Sequence, residues 1–177
     1  MCKMSRNFFT ASVENNLTMS NNQPILLVED DSNDVLLVQR TFQKAGLLNP
    51  LNVVRDGEQA IKYLRGAGDY ADRQRFPLPF LMLLDLKMPG MDGFEVLRWV
   101  RSESDLKRLL VVVLTSSNLQ KDVDWAYELG ANSYLVKPVG SDEMANLIQR
   151  FEVYWTEISR TTYPAAPKPM PHETLLR

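Results

Sequence analysis

Polar side chains follow apolar runs at four places in this 177-residue chain. LLVEDD ends in Glu29, Asp30 and Asp31, LLDLKMPGMDG isolates Asp85 before a Pro89-Gly90 turn, VVVLTSS brings Thr115, Ser116 and Ser117, and SYLVKP ends in Lys137 and Pro138. The carboxylates are hard oxygen ligands of the kind that Mg²⁺ prefers, the lysine is a fixed cation and the threonine carries a hydroxyl donor. Taken singly, Glu29-Asp30-Asp31 reads as a solvated loop or helix cap, and Asp85 as an acid of an ordinary turn. Thr115 and Ser117 read equally well as caps of a following helix, a role expected of Ser117 in particular. Taken together, the four groups describe one site.

Such a site needs elements that bring the four places together. Apolar runs at 25–28, 51–54, 80–84, 111–114 and 133–136 are strand candidates, and the first, third and fourth are almost wholly apolar, as in strands buried on both faces of a parallel sheet. Between them lie helical patterns at 33–45, 57–66, 93–103 and 119–129, with a last one at 141–159. Asp56-Gly57 reads as a turn and helix cap. Five βα units in a row predict a doubly wound α/β sheet in a single domain. Ligands in such sheets bind outside the carboxyl ends of the strands, which is where all four polar groups fall.

The rest of the chain excludes other classes. A formal net charge of −2 offers no broad basic field for nucleic acid or an anionic membrane. No apolar run approaches the roughly 18 residues of a membrane span, and residues 1–22 lack a secretory core. Cys2 is the single cysteine, so neither a disulfide framework nor a cysteine metal cluster forms within the chain, which fits a cytoplasmic protein. Residues 1–23 read as a loose polar arm, within which Met19 is an alternative start, and 161–177 as a proline-rich tail containing Pro164, Pro167, Pro169 and Pro171. The folded unit is expected over 24–160. His172 is the only histidine and falls in that tail. Met82, Met88 and Met91 read as core or turn filler.

In this order, the four motifs resemble the receiver domain of two-component response regulators, over roughly 24–160. Thr115 follows Asp85 by 30 residues and Lys137 follows Thr115 by 22, as in that family. The resemblance implies a flavodoxin-like sheet of strand order 2-1-3-4-5, the order known for the chemotaxis member of the family. It implies that Asp85 accepts a phosphoryl group from a partner's histidine. It also implies that Asp30 and Asp85 bind Mg²⁺ (or Mn²⁺) directly, Glu29 through water, and the Lys87 carbonyl as a further ligand. Lys137 and Thr115 then contact the phosphoryl group, Tyr134 is the aromatic switch residue, and Lys137-Pro138 is a cis peptide. Lys87 and Ser117 flank the path of the attacking water and tune the phosphate lifetime. The chemistry agrees with these roles, because a carboxylate attacks a phosphoryl group only where a cation and a divalent ion offset the charge.

Asp85 follows Asp30 by 55 residues, and the surplus falls in a polar loop at 65–79. With the long last helix, this most resembles the stand-alone regulators that serve phytochromes. A phytochrome-like sensor histidine kinase is therefore the expected donor and an unknown downstream protein the expected receiver, with no nucleic acid and no membrane involved, since no output domain is expected after residue 160. Phe151, Tyr154, Trp155 and Ile158 suggest a homodimer through the last helix. Two other classes remain. A dehalogenase-type phosphatase wants a second aspartate two residues after its nucleophile, where this chain has Lys87. A degenerate receiver would lack some of the acids, Thr115 or Lys137, all of which are present.

Overall fold

The computed structural model describes residues 23–138, 140, 142–144, 146 and 147. Five strands, β1 (Ile25–Val28), β2 (Leu51–Val54), β3 (Leu81–Leu84), β4 (Leu110–Thr115) and β5 (Ser133–Val136), form one parallel sheet of order β2-β1-β3-β4-β5. Four α-helices lie between them: α1 (Ser32–Lys44), α2 (Gly57–Arg65), α3 (Gly93–Ser102) and α4 (Gln120–Glu128). The doubly wound, flavodoxin-like, single-domain fold expected from the sequence is the fold observed. The strand limits differ from expectation by a residue or so, β4 being longer at both ends.

Strand period and burial explain the layers. Successive side chains point to opposite faces, so Leu26, Val28, Met82, Leu84 and Val111 pack with Tyr63, Leu64, Val96, Leu97 and Val100 of α2 and α3. Their neighbours Ile25, Leu27, Leu81, Leu83, Val112 and Leu114 pack with Val35, Val38 and Phe42 of α1 and with Met144. Every residue of β1 and β3 is buried, which is why these runs contain no polar residue. Residues 142–144, 146 and 147 are helical. Phe151, Tyr154, Trp155 and Ile158, proposed above for a homodimer, lie outside the described residues.

The helix starts are written into the sequence. Asp31 caps α1 by accepting from the backbone of Asn33 and Asp34, and Asp56 caps α2 through Gln59 N. Asp92 and Glu95 form a capping box on α3. Each of these caps follows a strand closely, so the three helix N-termini gather along one rim of the sheet. α4 differs from expectation: its N-cap is Leu119, with no side-chain cap bond, and neither Thr115 nor Ser117 serves. The physical reason is that the Ser117 hydroxyl donates to Asp122 Oδ2, while Thr115, the last residue of β4, is fully buried with its Oγ1 accepting from Ser117 N.

Two further points concern the 65–79 loop and the Lys137–Pro138 bond. The polar loop at 65–79 is a packed unit: a 3₁₀ turn at Gly68–Tyr70 places Tyr70 against Tyr63 and Phe76, at centroid distances of 5.3 and 5.2 Å. Arg73 donates to the Tyr63, Leu64 and Phe76 carbonyls at 2.8, 2.6 and 3.1 Å, adding a second donor at Tyr63 O, which also accepts from Gly66 N, and supplying one at Leu64 O near the end of α2. The Lys137–Pro138 bond is not cis, since the described residues contain no cis peptide. Trans is the preferred isomer by about 0.5–1 kcal/mol before proline, and Lys137 reaches the site without the change.

Candidate functional site

Parallel pairing brings the acids together. Val28 is in register with Val54 on one side and Leu84 on the other, so the residues after β1 and β3 emerge side by side. Asp85 N donates to Val28 O and Glu29 N to Val54 O, both at 3.0 Å, carrying the ladder one step past the strand ends. On the other flank, Lys137 N donates to Thr115 O at 2.8 Å. The four sequence motifs thus meet at one edge, and the backbone fixes where each side chain leaves it.

The pocket is acidic and largely shielded from water. Glu29 and Asp85 are 1% and 4% exposed, while Asp30 opens to solvent. One carboxylate oxygen from each of Glu29, Asp30 and Asp85 lies within 4.8 Å of the others. Lys137 Nζ enters from β5, donating to Glu29 Oε2 at 2.5 Å and Asp34 Oδ2 at 2.7 Å, and stands 3.6 Å from Asp85 Oδ1. That last separation is an ion pair but exceeds a hydrogen bond. Asp85 Oδ1 is buried and has no hydrogen-bond partner among the described residues. A buried carboxylate oxygen without a donor is costly, and a cation beside Glu29 and Asp30 would satisfy it. The residues therefore fit a hard divalent ion.

Electrostatics follow from burial. Glu29 loses hydration, and this pushes its carboxyl up to about 7 against the pull of Lys137, with nearby Asp85 pushing the same way as burial. Burial disfavours the Lys137 ammonium, but hydrogen bonds to Asp34 and Glu29 and the charge of Asp85 outweigh it and raise its pKa. Asp31 points elsewhere: its cap bonds from Asn33 and Asp34 hold its carboxyl below the ordinary range.

The remaining expected residues surround the pocket. Thr115 is fully buried, and its Oγ1 accepts from Ser117 N at 3.4 Å. Tyr134 packs with Leu86, Val113 and Ala126 and donates from its hydroxyl to Ser117 O at 3.0 Å. Lys87 N donates to Asp85 Oδ2 at 3.3 Å, while its ammonium turns away to Asp122 Oδ2 at 3.1 Å. Met82 and Met88 are core residues and Met91 packs against them, as expected.

Three residues at or near the site were not read from the sequence. Asp34 holds Lys137 from the first turn of α1, and its signal was an acid one turn after the acidic triplet. Asp122, buried at the start of α4, accepts from Ser117 Oγ at 2.6 Å as well as from Lys87. Gly93 opens α3, where the helical pattern begins, but its contact with the Asp85 backbone is not visible in the sequence. A Cβ there would stand 2.2 Å from Asp85 O and 2.8 Å from Leu86 Cα, so only glycine lets α3 begin this close to the Asp85 backbone.

Comparisons with known proteins point the same way. Residues 25–149 match the family described as response regulator receiver domain. The chain is 41% identical over 142 residues to response regulator Rcp1 of Synechocystis sp., covering 80% of this chain and 93% of that protein. It superposes on the Mn²⁺-bound form of Rcp1 with a TM-score of 0.71 at 38% identity, covering 79% and 99% of the two chains. On the phosphorylated cyanobacterial phytochrome response regulator RcpA it superposes with a TM-score of 0.73 at 34% identity, covering 79% and 98%.

Proposed function

We propose, for a chain that belongs to the response regulator receiver domain family of phosphoacceptor signalling proteins, that Asp85 is the residue that accepts the phosphoryl group. The observation that carries this is the pocket itself: Asp85 Oδ1 is buried without a hydrogen-bond partner among the described residues, beside Glu29, Asp30 and the Lys137 ammonium. An Asp85 oxygen forms the new O–P bond as the bond from phosphorus to the donor's histidine nitrogen breaks, and that nitrogen keeps the electron pair. The product is an acyl phosphate.

Each neighbour has a part in this reading. Asp30 and Asp85 hold Mg²⁺ or Mn²⁺ directly, Glu29 holds it through water, and the Lys87 carbonyl is a further ligand. When bound, the ion offsets the charge of the incoming phosphoryl oxygens. Lys137 supplies a cation close to Asp85, and the Thr115 hydroxyl donates to a phosphoryl oxygen once it turns from Ser117 N. Tyr134 follows Thr115, since both contact Ser117. The Mn²⁺-bound form of Rcp1 supports the choice of ion.

The receiver unit spans 24–160, with a phytochrome-type sensor histidine kinase as donor and a cytoplasmic downstream protein as receiver. The similarity to a phytochrome response regulator supports the kinase class. Almost full coverage of Rcp1 and RcpA supports stand-alone output by protein contact. A homodimer through the last helix completes the proposal; sedimentation of the protein and of Trp155→Ala tests it, and a monomer at tens of micromolar counts against it.

Incubation with acetyl phosphate and Mg²⁺ tests the acceptor. Acid-labile labelling of one site, lost in Asp85→Asn, is expected. Labelling that survives Asp85→Asn overturns the assignment.

A further inference from the structure

Two short chains of contacts leave the pocket and end on the same atom. On one side, Lys87 N donates to Asp85 Oδ2 at 3.3 Å, and the Lys87 ammonium reaches Asp122 Oδ2 at 3.1 Å. On the other, Ser117 N donates to Thr115 Oγ1 at 3.4 Å, and the Ser117 hydroxyl donates to Asp122 Oδ2 at 2.6 Å. In both arms the residue two positions beyond a pocket residue grips it by backbone and grips Asp122 by side chain. Asp122 sits in the first turn of α4, and its side chain is 9% exposed. The helix has no side-chain cap, so this double contact is what fastens its first turn to the two loops.

We propose that Asp122 is a positioning residue that ties the first turn of α4 to the loops bearing Asp85 and Thr115, so that occupancy of the pocket is passed to α4. This rests on Asp85 as the phosphoacceptor. A phosphoryl group there places new negative charge beside Lys87 N and draws the Thr115 hydroxyl away from Ser117 N. Each change pulls on one arm, and both arms pull on one carboxylate. A single buried oxygen shared by a cation and a hydroxyl couples the two arms, so a change in either is felt at Asp122. α4 carries exposed Trp125 one turn beyond Asp122, with Leu119 exposed at its cap. The helix that moves is therefore one that presents apolar surface. Tyr134, bonded to Ser117 O, extends the link to β5.

Trp125 supplies the reporter. In a Trp99→Phe, Trp155→Phe background of the full chain, Trp125 fluorescence is followed while acetyl phosphate and Mg²⁺ label Asp85, and the change is expressed per mole of bound phosphoryl. The parent responds, and Asp122→Asn lowers the response at least about threefold, within the range of couplings measured for single residues. A merely structural role would lower stability and leave the response per phosphoryl unaltered. Lys87→Gln removes one arm at a half-exposed side chain, without disturbing the core, and is expected to weaken the response likewise. An equal response per phosphoryl in both variants overturns the inference, as does a labelled parent in which Trp125 is silent. A parent that takes no label overturns the phosphoacceptor reading and this inference with it, and so separates the two failures.

Discussion

Lys137 Nζ stands 3.6 Å from Asp85 Oδ1 while it donates to Glu29 at 2.5 Å and to Asp34 at 2.7 Å. The lysine spends its bonds on the flanking acids and leaves Asp85 Oδ1 without a donor among the described residues. Removing it strands buried negative charge. Lys137→Met is expected to lower stability at pH 8 by about 3 kcal/mol, the low end for breaking a buried ion pair. Urea unfolding without metal measures this, and MgCl₂ recovers part of the loss by supplying a replacement cation. Equal stability of the variant and the parent would contradict the geometry.

Acidity should control metal binding. Glu29 titrates at about 7, above its ordinary 4.5, because burial disfavours its charged form. The folded chain thus holds this proton more tightly than the unfolded chain. The resulting stabilisation of metal-free protein is complete below pH 4.5 and is lost as pH rises through about 7. Divalent ions want the opposite state, so their affinity falls as pH drops through about 7. Below it the decline approaches about tenfold per pH unit for one competing proton. Calorimetric titration with Mn²⁺ from pH 6 to 8 tests this, and Glu29→Gln is expected to flatten the profile.

Gly93 is a steric requirement. Alanine would bring a carbon to within 2.2 Å of Asp85 O, and that neighbour is backbone, unable to swing aside. Gly93→Ala is expected to cost about 2–3 kcal/mol, an overpacking penalty, and to weaken Mn²⁺ binding because the Asp85 backbone must move. Thermal melts and the same titration read both effects. Loss of stability with unaltered metal affinity would show that the strain is absorbed in α3.

Arg73 should stabilise the 65–79 segment. Its guanidinium serves three backbone carbonyls. Arg73→Ala removes these bonds, and although Tyr63 O keeps Gly66 N, a cost of about 1–3 kcal/mol follows for the buried part. Hydrogen exchange is expected to rise at the end of α2 and around Phe76, with β3 unaffected.

These cases mark what can be read along the chain. The buried runs of β1, β3 and β4 are legible because a strand covered on both faces leaves no room for a polar residue, and the acids after β1 and β3 stand out against them. Asp85, Thr115 and Lys137 stand at the ends of the neighbouring strands β3, β4 and β5, as the βα pattern predicts. Asp34, Asp122 and Gly93 are not legible in the same way: Asp34 answers to Lys137 and Asp122 to Lys87, both distant in sequence, and Gly93 to the close return of α3 onto the Asp85 backbone. Arg73 reads as one charge among several until its carbonyl partners are known. Ser117 was expected to cap α4, but its hydroxyl goes to Asp122 instead, a choice made by tertiary packing rather than by local preference.

The register of β1 against β3 has a consequence in time. Val28 lies opposite Leu84 across a parallel pair, with β2 and α2 between them in sequence. Glu29 and Asp85 therefore become neighbours only after a long loop has closed, the slow kind of event in folding. A chain emerging from the ribosome cannot assemble the cluster of Glu29, Asp30 and Asp85 until β3 has docked. Ion uptake would then time the arrival of the third strand, giving a clock for assembly that needs no label.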